Sequence, residues 1–483
     1  MRVLFIDIDT LRPDHMGCYG YSRNTTPNID KICEDGIKFN KYYCADAPCL
    51  PSRASLISGM FGIRHGAVGH GGTAADRRLN GKDRGFSDII DRDNFINIFR
   101  KANMKTVSIS TFAERHSSWW FSARFNETYN VGKSGMESGE EVLPVALDWI
   151  SRNAKNDDWF LHVHLWDPHT PYRAPADFGN PFENVPLDTW INQEIFDKHL
   201  QHTGPHSINE INMYDDNENP KYPRHPGSAK DLAGLKKLID GYDTGILYAD
   251  YLIGQIIDKL KDMKLYDDLC VIISSDHGEN MGELGIYSEH ATADHATCRI
   301  PLIIKWNNAE KNYEDDGLHC NVDLAPTVAE LMNIKPSKNW DGVSFADWGK
   351  AERNSVVISQ MAHVCQRSAR FGDWLYIRTY HDGFHLFDDE MLFNITDDPY
   401  EQYDLKEQFP EICEKGAKII LDWHDDMMKK SAKTSMETAD PLWTVLREGG
   451  PAHTIGALDG YIKRLRETGR GEGADKLEKK YKK

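Results

Sequence analysis

Apolar runs and amphipathic stretches alternate along the first two thirds of the chain. The apolar runs have the length and flanking turns of buried strands, and they predict strands at 3–8, 39–43, 105–110, 158–165, 269–274 and 300–305. Apolar residues at a helical period predict helices at 28–37, 95–103, 235–263 and 323–332. Strands that alternate with helices are typical of an α/β fold, so we expect a large, mostly parallel sheet flanked by helices.

The pattern changes near residue 345 to short alternating runs, which predict a small antiparallel sheet. Its strands are expected at 356–360, 366–371, 374–378 and 385–387, followed by helix. We therefore predict an α/β domain over 1–345 and a C-terminal subdomain over 346–483, with a small antiparallel sheet and a helical tail. Residues 173–230 show little periodicity and read as a long irregular excursion, which in a compact protein is often functional.

Polar side chains follow several of the predicted strands at the point where each strand ends. Asp9 follows the first strand, the pair Arg115 and His116 follows the strand at 105–110, and His169 follows the strand at 158–165. Asp276 and His277 directly follow the strand at 269–274. The carboxyl ends of parallel strands meet at one edge of a sheet, where ligands bind. For Asp9 taken alone, a metal ligand and a solvated turn carboxylate both stay open.

The segment from Ala47 to Gly59 combines a cysteine, two prolines and an arginine before an apolar run. Pro51 suits an early helical position because its missing N–H costs nothing there. Cys49 would then lie at a helix N-terminus, where free N–H groups favour an anion. Arg53, one turn later, can share its face. The alternative is a buried cysteine beside a surface arginine.

Charge and composition exclude several classes of protein. The 483 residues include 57 basic and 75 acidic residues, a net charge of −18, which disfavours a general nucleic-acid surface. No apolar run approaches the ~20 residues of a membrane span. The N-terminal segment lacks a basic region and a cleavage site, so we expect a cytoplasmic protein unless a leader was trimmed. Nine cysteines, an odd number without paired spacing, argue against a disulfide framework. The absence of a CxxC pair argues against a structural zinc site.

The polar residues at the strand ends suit a metal and an anion together. Carboxylates such as Asp9 and Asp276 prefer Ca²⁺ or Mg²⁺, and a histidine ligand shifts the choice toward Mn²⁺. The cationic and imidazole side chains that could hold a tetrahedral anion are Arg53, Arg115, His116, His169 and His290. A metal with such a set predicts transfer of a sulfuryl or phosphoryl group.

The motif Cys49-Leu-Pro-Ser-Arg53, with Ser58-Gly59 behind it, resembles the C-x-P-S-R signature of the type I, formylglycine-dependent sulfatases. The resemblance runs along nearly the whole chain, from residues 9–20 to the predicted C-terminal sheet and residues 398–402. It implies the fold of the alkaline phosphatase superfamily, with a large α/β domain and a smaller C-terminal sheet.

The resemblance also implies the nucleophile. Cys49 matches the cysteine that a formylglycine-generating enzyme or an anaerobic sulfatase-maturating enzyme oxidises to formylglycine, whose hydrate attacks sulfur. The same position is a metal ligand in the family, and Arg53 matches the arginine that anchors it.

The remaining roles follow by the same matching of positions. Asp9, Asp276 and His277 match metal ligands, and the family ion is most often Ca²⁺. His169 matches a sulfate-binding histidine that can donate a proton to the leaving alcohol, and His116 matches the base near the formylglycine.

The chain departs from the family pattern at three positions. Thr10 stands where many members have a second aspartate, and Asp7, on the same face of the strand as Asp9, is expected to support the site. Arg115 substitutes for a lysine, and His290 falls where a later sulfate-binding lysine is expected. So many histidines predict a site that is sensitive near neutral pH.

These observations favour hydrolysis of a sulfate ester on a small saccharide, for example one derived from a glycosaminoglycan. Residues 64–84, 173–230 and 381–385 would shape its pocket. A phosphonate monoester or phosphodiester hydrolase of the same superfamily is the alternative, favoured by Thr10 and His277. An inactive protein that binds anions or sugars is the alternative from another class.

Overall fold

The computed structural model of the protein describes residues 1–81, 88–187, 189–350, 353–434 and 439–482. The predicted pocket loop at 64–84 therefore lies partly outside the described residues. The strands are β1 (Arg2–Ile8), β2 (Ile37–Tyr43), β3 (Asp46–Ala47), β4 (Lys105–Ile109), β5 (Glu127–Tyr129), β6 (Trp159–Leu165), β7 (Leu269–Ser274), β8 (Asn280–Met281), β9 (Tyr287–Glu289), β10 (Leu302–Lys305), β11 (Tyr313–Cys320), β12 (Ser355–Gln360), β13 (Cys365–Phe371), β14 (Trp374–His381) and β15 (Glu390–Asn394).

Helices cover the sheets and form most of the C-terminal region. They are α1 (Pro27–Glu34), α2 (Cys49–Ser58), α3 (Gly62–His65), α4 (Ile89–Arg92), α5 (Phe95–Lys101), α6 (Phe112–Arg115), α7 (Trp119–Ser122), α8 (Gly139–Asn153), α9 (Gln193–Leu200), α10 (Leu232–Asp262), α11 (His295–Cys298), α12 (Leu324–Leu331), α13 (Pro410–Thr434), α14 (Pro441–Arg447), α15 (Leu458–Glu467) and α16 (Gly471–Tyr481). Among the described residues, no helix is long and apolar enough to cross a membrane.

The large sheet has the order β11-β2-β10-β7-β1-β6-β4-β5. Its central strands are parallel, and β10 runs antiparallel to both of its neighbours. The sheet is therefore mixed but mostly parallel, as the sequence predicted. Because β6, β1 and β7 lie side by side, their carboxyl ends meet at one edge.

Both faces of the large sheet are buried, which explains why its strands are continuous apolar runs. Successive residues of β1 point to opposite sides, with Val3 and Phe5 on one face and Leu4 and Ile6 on the other. Helices α5 and α12 pack on the first face, and α8 and α10 pack on the second. Two apolar layers thus hold the sheet rigid around the edge where the polar residues lie.

The small sheet has the order β15-β14-β13-β12-β3. Three of its strands were predicted, but the strand expected at 385–387 is wrong, because the fourth hairpin strand is β15 at Glu390–Asn394. The turn-rich segment at 382–387 instead packs Phe384 against the C-terminal helices. β3 adds to this sheet in parallel with β12, so the residues just before Cys49 are held by the C-terminal region.

The irregular excursion at 173–230 is mostly without regular structure, as predicted. The exceptions in its described part are α9 and a short 3-10 turn at Ala176–Phe178. The side chains of Tyr172, directly before the excursion, and of His206 within it are buried next to the sheet edge.

Stacked aromatic rings in the core make a first prediction about stability. Phe160 of β6 is fully buried, and its ring lies 4.0 Å from that of Phe99 on α5 at an interplanar angle of 18°. We expect Phe160→Ala to lower the free energy of unfolding by about 3–5 kcal/mol, since it opens a cavity between sheet and helix. Urea denaturation measures the change. The control is Trp119→Ala, at a side chain that is 67% exposed, where we expect a change of about 0.5 kcal/mol or less. Equal losses in the two variants would contradict the packing argument.

Candidate active site

The edge of the sheet formed by β7, β1, β6 and β4 collects the polar residues predicted from the sequence. Asp9 follows β1, His169 follows β6, and Asp276 and His277 follow β7. Arg115 is the last residue of α6, which follows β4, and His116 comes next. The structure brings these side chains together with Cys49 and Arg53 of α2.

Cys49 is the first residue of α2 and is 1% exposed. Its Sγ lies 3.1 Å from Nε2 of His116 and 3.3 Å from Nε2 of His70. Burial, reinforced by the nearby carboxylates of Asp9 and Asp276, raises the pKa of the thiol well above its ordinary value. The unmodified side chain is therefore a neutral thiol and a poor nucleophile.

Arg53 links three buried carboxylates. Its Nε and Nη2 each donate to Asp7 at 3.0 Å. Its Nη1 lies 3.1 Å from Oδ2 of Asp9 and also donates to Asp276. Burial alone would raise the pKa of Asp9, but Arg53 and neighbouring histidines lower it well below its ordinary value. The alternative of a surface arginine is wrong, because Arg53 is 1% exposed.

Asp7 contacts Arg53 rather than the other candidate ligands, which agrees with the supporting role expected of it. Thr10, beside Asp9, donates from Oγ1 to Oδ1 of Asp9 at 2.9 Å. This side chain orients the Asp9 carboxylate in place of a second acidic residue.

The donor set Asp9, Asp276 and His277 fits a divalent cation. Nδ1 of His277 lies 2.9 Å from the carbonyl oxygen of Gly278, so this nitrogen carries the proton. Its Nε2 is buried and has no hydrogen-bond partner within the described ranges, although it lies 3.2 Å from Oδ2 of Asp276 and 3.8 Å from Oδ1 of Asp9. A lone pair that faces two carboxylates is repelled unless a cation lies between them. Cys49, Asp276 and His277 also bring ligand atoms within 4.8 Å of one another.

His169, His290 and Arg115 border this centre. The ring of His169 lies 5.4 Å from that of His290, and the ring of His290 lies 4.0 Å from that of His277. Cζ of Arg115 stacks 5.1 Å from the ring of Trp166, which aligns the guanidinium along the wall of the site. All the residues predicted for the anion site therefore lie in one connected cluster.

The expected sensitivity near neutral pH is wrong for three of these histidines. Burial, with Arg115 and Arg53 behind it, lowers the pKa of His116 to about 3. Burial likewise lowers the pKa of His290 to about 4 and that of His169 well below its ordinary value. These imidazoles are neutral at pH 7, because a buried cationic ring beside arginine is unfavourable.

Two residues of the centre were missed in the sequence. His164 on β6 lies 2.7 Å from Nη2 of Arg53 and 3.3 Å from Oδ2 of Asp9. Its alternation with His162 along the strand was the available signal. His70 lies in the glycine-rich segment at 64–70, and only its contact with Cys49 identifies it.

A second group of histidines extends the site toward the C-terminal region. Nδ1 of His70 lies 3.4 Å from Nε2 of His453, whose ring stacks 4.1 Å from that of His363 at 14°. His363 lies between β12 and β13, and His453 lies in the turn at Ala452–Thr454. The small sheet and the C-terminal turn thus complete one wall of the site.

Comparison with known proteins places this site in a family. The Sulfatase family model matches residues 2–334. The chain belongs to the sulfatase family, whose fold is that of the alkaline phosphatase superfamily, and it is a sulfatase enzyme.

The curated and solved relatives are distant in sequence. The chain is 23% identical over 459 residues to the uncharacterized sulfatase YidJ of Escherichia coli K12, covering 87% of this chain and 86% of that protein. A structure described as a complex with its substrate D-glucosamine-2-N,6-O-disulfate superposes with a TM-score of 0.69 at 18% identity, covering 89% and 98% of the two chains. The phosphonate monoester hydrolase of Agrobacterium radiobacter superposes at 0.66 and 16%, covering 93% and 99%. These two structures share the fold.

The Arg53 cluster makes a second prediction about stability. We expect Arg53→Met to lower the free energy of unfolding by about 3–5 kcal/mol, since three buried carboxylates lose their cation. Urea denaturation in the presence of a chelator measures this change without help from a bound metal.

The matched control for that prediction is Arg152→Met. Arg152 pairs with Asp148 at 2.6 Å on an exposed helix surface, and such a pair contributes about 0.5 kcal/mol or less. If Arg53→Met were no more destabilised than Arg152→Met, Arg53 would not be the cation that holds the carboxylates together.

Proposed function

We propose that the protein removes sulfate from a small sulfated saccharide, with formylglycine derived from Cys49 as the nucleophile and a divalent cation at Asp9, Asp276 and His277. The observation that supports this most directly is the placement of Cys49. It lies at the N-terminus of α2, within 3.3 Å of two imidazoles. Its cluster of possible ligand atoms includes the carboxylate of Asp276 and Nε2 of His277, which has no hydrogen-bond partner among the described residues.

The chemistry of the nucleophile explains why the cysteine itself is unsuitable. A hydrated formylglycine supplies a hydroxyl nucleophile and a second hydroxyl that allows sulfate to be eliminated. Unconverted Cys49 has neither hydroxyl, and the raised pKa of its thiol also disfavours the thiolate that could act in their place. Conversion therefore requires a partner, the formylglycine-generating or anaerobic sulfatase-maturating enzyme.

The side chains around Cys49 have separable tasks. His116, with Nε2 at 3.1 Å from Sγ, is placed to accept a proton from the group at position 49. His169, Arg115 and His290 line the side where the sulfate oxygens and the leaving alcohol would lie. Arg53 keeps residue 49 and the carboxylates in fixed positions relative to one another.

The cation would polarise the sulfate and stabilise the charge that develops on its oxygens. The family resemblance favours Ca²⁺, and the imidazole of His277 is also compatible with Mn²⁺. Metal analysis of the purified protein identifies the ion.

A polar cavity beside this centre suits a saccharide. It has a volume of about 420 Å³ and is lined by residues that include Thr170, Asn212, Tyr222 and Glu289. This volume falls in the range of small-molecule sites, and the lining offers both donors and acceptors to sugar hydroxyls. The relative bound to a glucosamine disulfate supports the same substrate class.

The second candidate function is hydrolysis of a phosphonate monoester or phosphodiester. The pairing of Thr10 with Asp9 favours this activity, because Thr10 stands where many sulfatases have a second aspartate. The metal then has one carboxylate fewer than in those sulfatases. The superposition on a phosphonate monoester hydrolase is consistent with either activity.

The formylglycine mechanism predicts that activity depends on conversion of Cys49. Protein made with a maturation enzyme should hydrolyse an aryl sulfate and should be lighter at residue 49 in intact-mass analysis. Cys49→Ala should lose at least about 10³-fold in kcat, because the nucleophile is absent. A Cys49 that is never converted, with unchanged activity in Cys49→Ala, would rule the mechanism out.

The same preparation separates the candidate functions. A large preference for a phosphonate monoester over the aryl sulfate would favour the second candidate. Binding of sulfated saccharides without turnover of either ester would favour an inactive binding protein. A screen of defined sulfated mono- and disaccharides then identifies the substrate.

His116 makes a prediction about the chemical step. We expect His116→Ala to lower kcat by about 10²–10⁴-fold, with a smaller effect on KM, because a positioned proton acceptor is lost. The control is His424→Ala, at a half-buried histidine of α13 whose Nε2 lies 3.2 Å from Oδ2 of Asp440, where we expect kcat to stay as in wild type. Equal kcat in His116→Ala and wild type would show that another group moves the proton.

A further inference from the structure

His206, Glu289 and His363 form a buried cluster beside the candidate active site. Their exposed fractions are 4%, 7% and 6%, and one ligand atom from each lies within 4.8 Å of the others. The cluster draws on the irregular excursion, on β9 and on the turn between β12 and β13. None of the three residues is a proposed ligand of the catalytic cation or a proton acceptor at residue 49, although Glu289 lines the proposed saccharide cavity and His363 lies in the wall of the site.

His206 carries the clearest sign of a missing partner. Its Nδ1 lies 2.9 Å from the carbonyl oxygen of Ile211, so this nitrogen is the protonated one in the neutral ring. Its Nε2 then presents a lone pair to Oε2 of Glu289 at 3.2 Å. That Nε2 is buried and makes no hydrogen bond in the part of the chain that the structure describes. A lone pair and a carboxylate oxygen at this distance repel each other, and a cation bound between them would remove that repulsion.

Glu289 is oriented to share such a cation. Its Oε1 accepts from the backbone N–H of His290 at 3.0 Å and lies 2.9 Å from Nε2 of the same residue. These contacts fix the carboxylate and leave Oε2 facing His206. Nε2 of His363 lies 3.7 Å from Oε1 on the other side.

We propose that His206, Glu289 and His363 bind a second divalent metal ion, of the zinc class, next to the catalytic centre. Two imidazoles and one carboxylate are a ligand set that zinc uses where a fourth position is kept open. Zinc bonds of about 2.0–2.1 Å place neighbouring ligand atoms roughly 3.3 Å apart. The observed separations are 3.2 Å from Nε2 of His206 to Oε2 of Glu289 and 3.7 Å from Nε2 of His363 to Oε1 of Glu289. The two rings thus approach different oxygens of one carboxylate, and one ligand atom from each of the three residues lies within 4.8 Å of the others.

The surroundings match those of metal sites in proteins. A metal-binding histidine usually donates its other N–H to a backbone carbonyl, as His206 does to Ile211. The backbone of His363 is held by Oε1 of Gln360 at 3.1 Å, which fixes the turn that presents the ring. The polar cavity of about 420 Å³ is lined by both His206 and Glu289, so the open position has room for water or for a substrate oxygen.

The ion would lie behind His290, which separates it from the candidate ligands Asp276 and His277. By holding Glu289, it would fix the carboxylate that orients His290. A second metal is thus a means of placing an imidazole where the family pattern has a lysine.

Zinc uptake tests the proposal without reference to activity. The full-length protein is stripped with a chelator, saturated with Ca²⁺ and titrated with Zn²⁺, and bound zinc is counted after desalting. We expect wild type to retain one zinc more than His206→Gln or Glu289→Gln, with affinity at that site reduced by at least about 100-fold in the variants. Far-UV circular dichroism checks that each variant is folded.

The matched control is His225→Gln. His225 lines the same cavity, and its Nε2 has a partner in Oδ1 of Asn212 at 3.1 Å. Its Nδ1 is buried without a hydrogen bond among the described residues, but His225 belongs to none of the clusters of metal-ligating atoms found there. It should therefore bind zinc as wild type does. The proposal is overturned if all four proteins bind the same amount, or if His225→Gln loses as much zinc as His206→Gln.

Anomalous scattering from zinc-soaked crystals of wild type is a second test, and it does not depend on the folding of any variant. We expect a peak within bonding distance of His206, Glu289 and His363. The proposal is overturned if the only peak lies at Asp9, Asp276 and His277, or if a water molecule instead of a metal lies between His206 and Glu289.

Discussion

The interaction on which the rest of the site depends is the contact of one guanidinium with three buried carboxylates. Arg53 bonds Asp7 with one side of its fork, and its Nη1 reaches Asp9 and Asp276. Three carboxylates at this depth repel one another, and their burial is tolerable only if a cation is shared among them. The planar fork of arginine can do this, whereas the single ammonium of a lysine cannot. The same residue lies one helical turn after Cys49 on α2.

Helix α2 connects the small sheet to the carboxylates at the edge of the large sheet. The two residues of β3 join the small sheet, and α2 begins two residues later at Cys49. Ser52 on α2 donates from Oγ to the carbonyl oxygen of Asp276 at 2.6 Å, which ties the helix to the end of β7. The C-terminal region therefore helps to hold Cys49, the proposed nucleophile, and supplies His363 and His453 to the wall of the site.

Much of the fold and the centre of the site could be predicted from the sequence because both depend on local patterns. The strand β7 is an unbroken apolar run, and Asp276 and His277 follow it directly, so the sheet edge was predictable from spacing alone. The strand β15 and the wall formed by His70, His363 and His453 could not be predicted in this way. β15 pairs with β14 across the irregular segment at 382–389, and this connection has no turn signal that fixes where the strand begins. The three histidines lie far apart along the chain, and only the packing of the small sheet and the C-terminal turn against the large sheet brings them together. The charge state of the histidines was missed for the same reason, since burial decides it.

The two clusters of the site share one arrangement and differ in one respect. In each, a histidine donates one ring N–H to a backbone carbonyl and turns the other nitrogen toward carboxylate oxygen. Around Asp9 and Asp276, Arg53 supplies a fixed positive charge, so that cluster is partly neutralised by the chain itself. Around Glu289, the charge of the carboxylate meets the rings of His206, His290 and His363. A metal would supply positive charge there, as Arg53 does in the other cluster. It would also leave the rings of His290 and His363 neutral, which is the form that burial favours by lowering their pKa values.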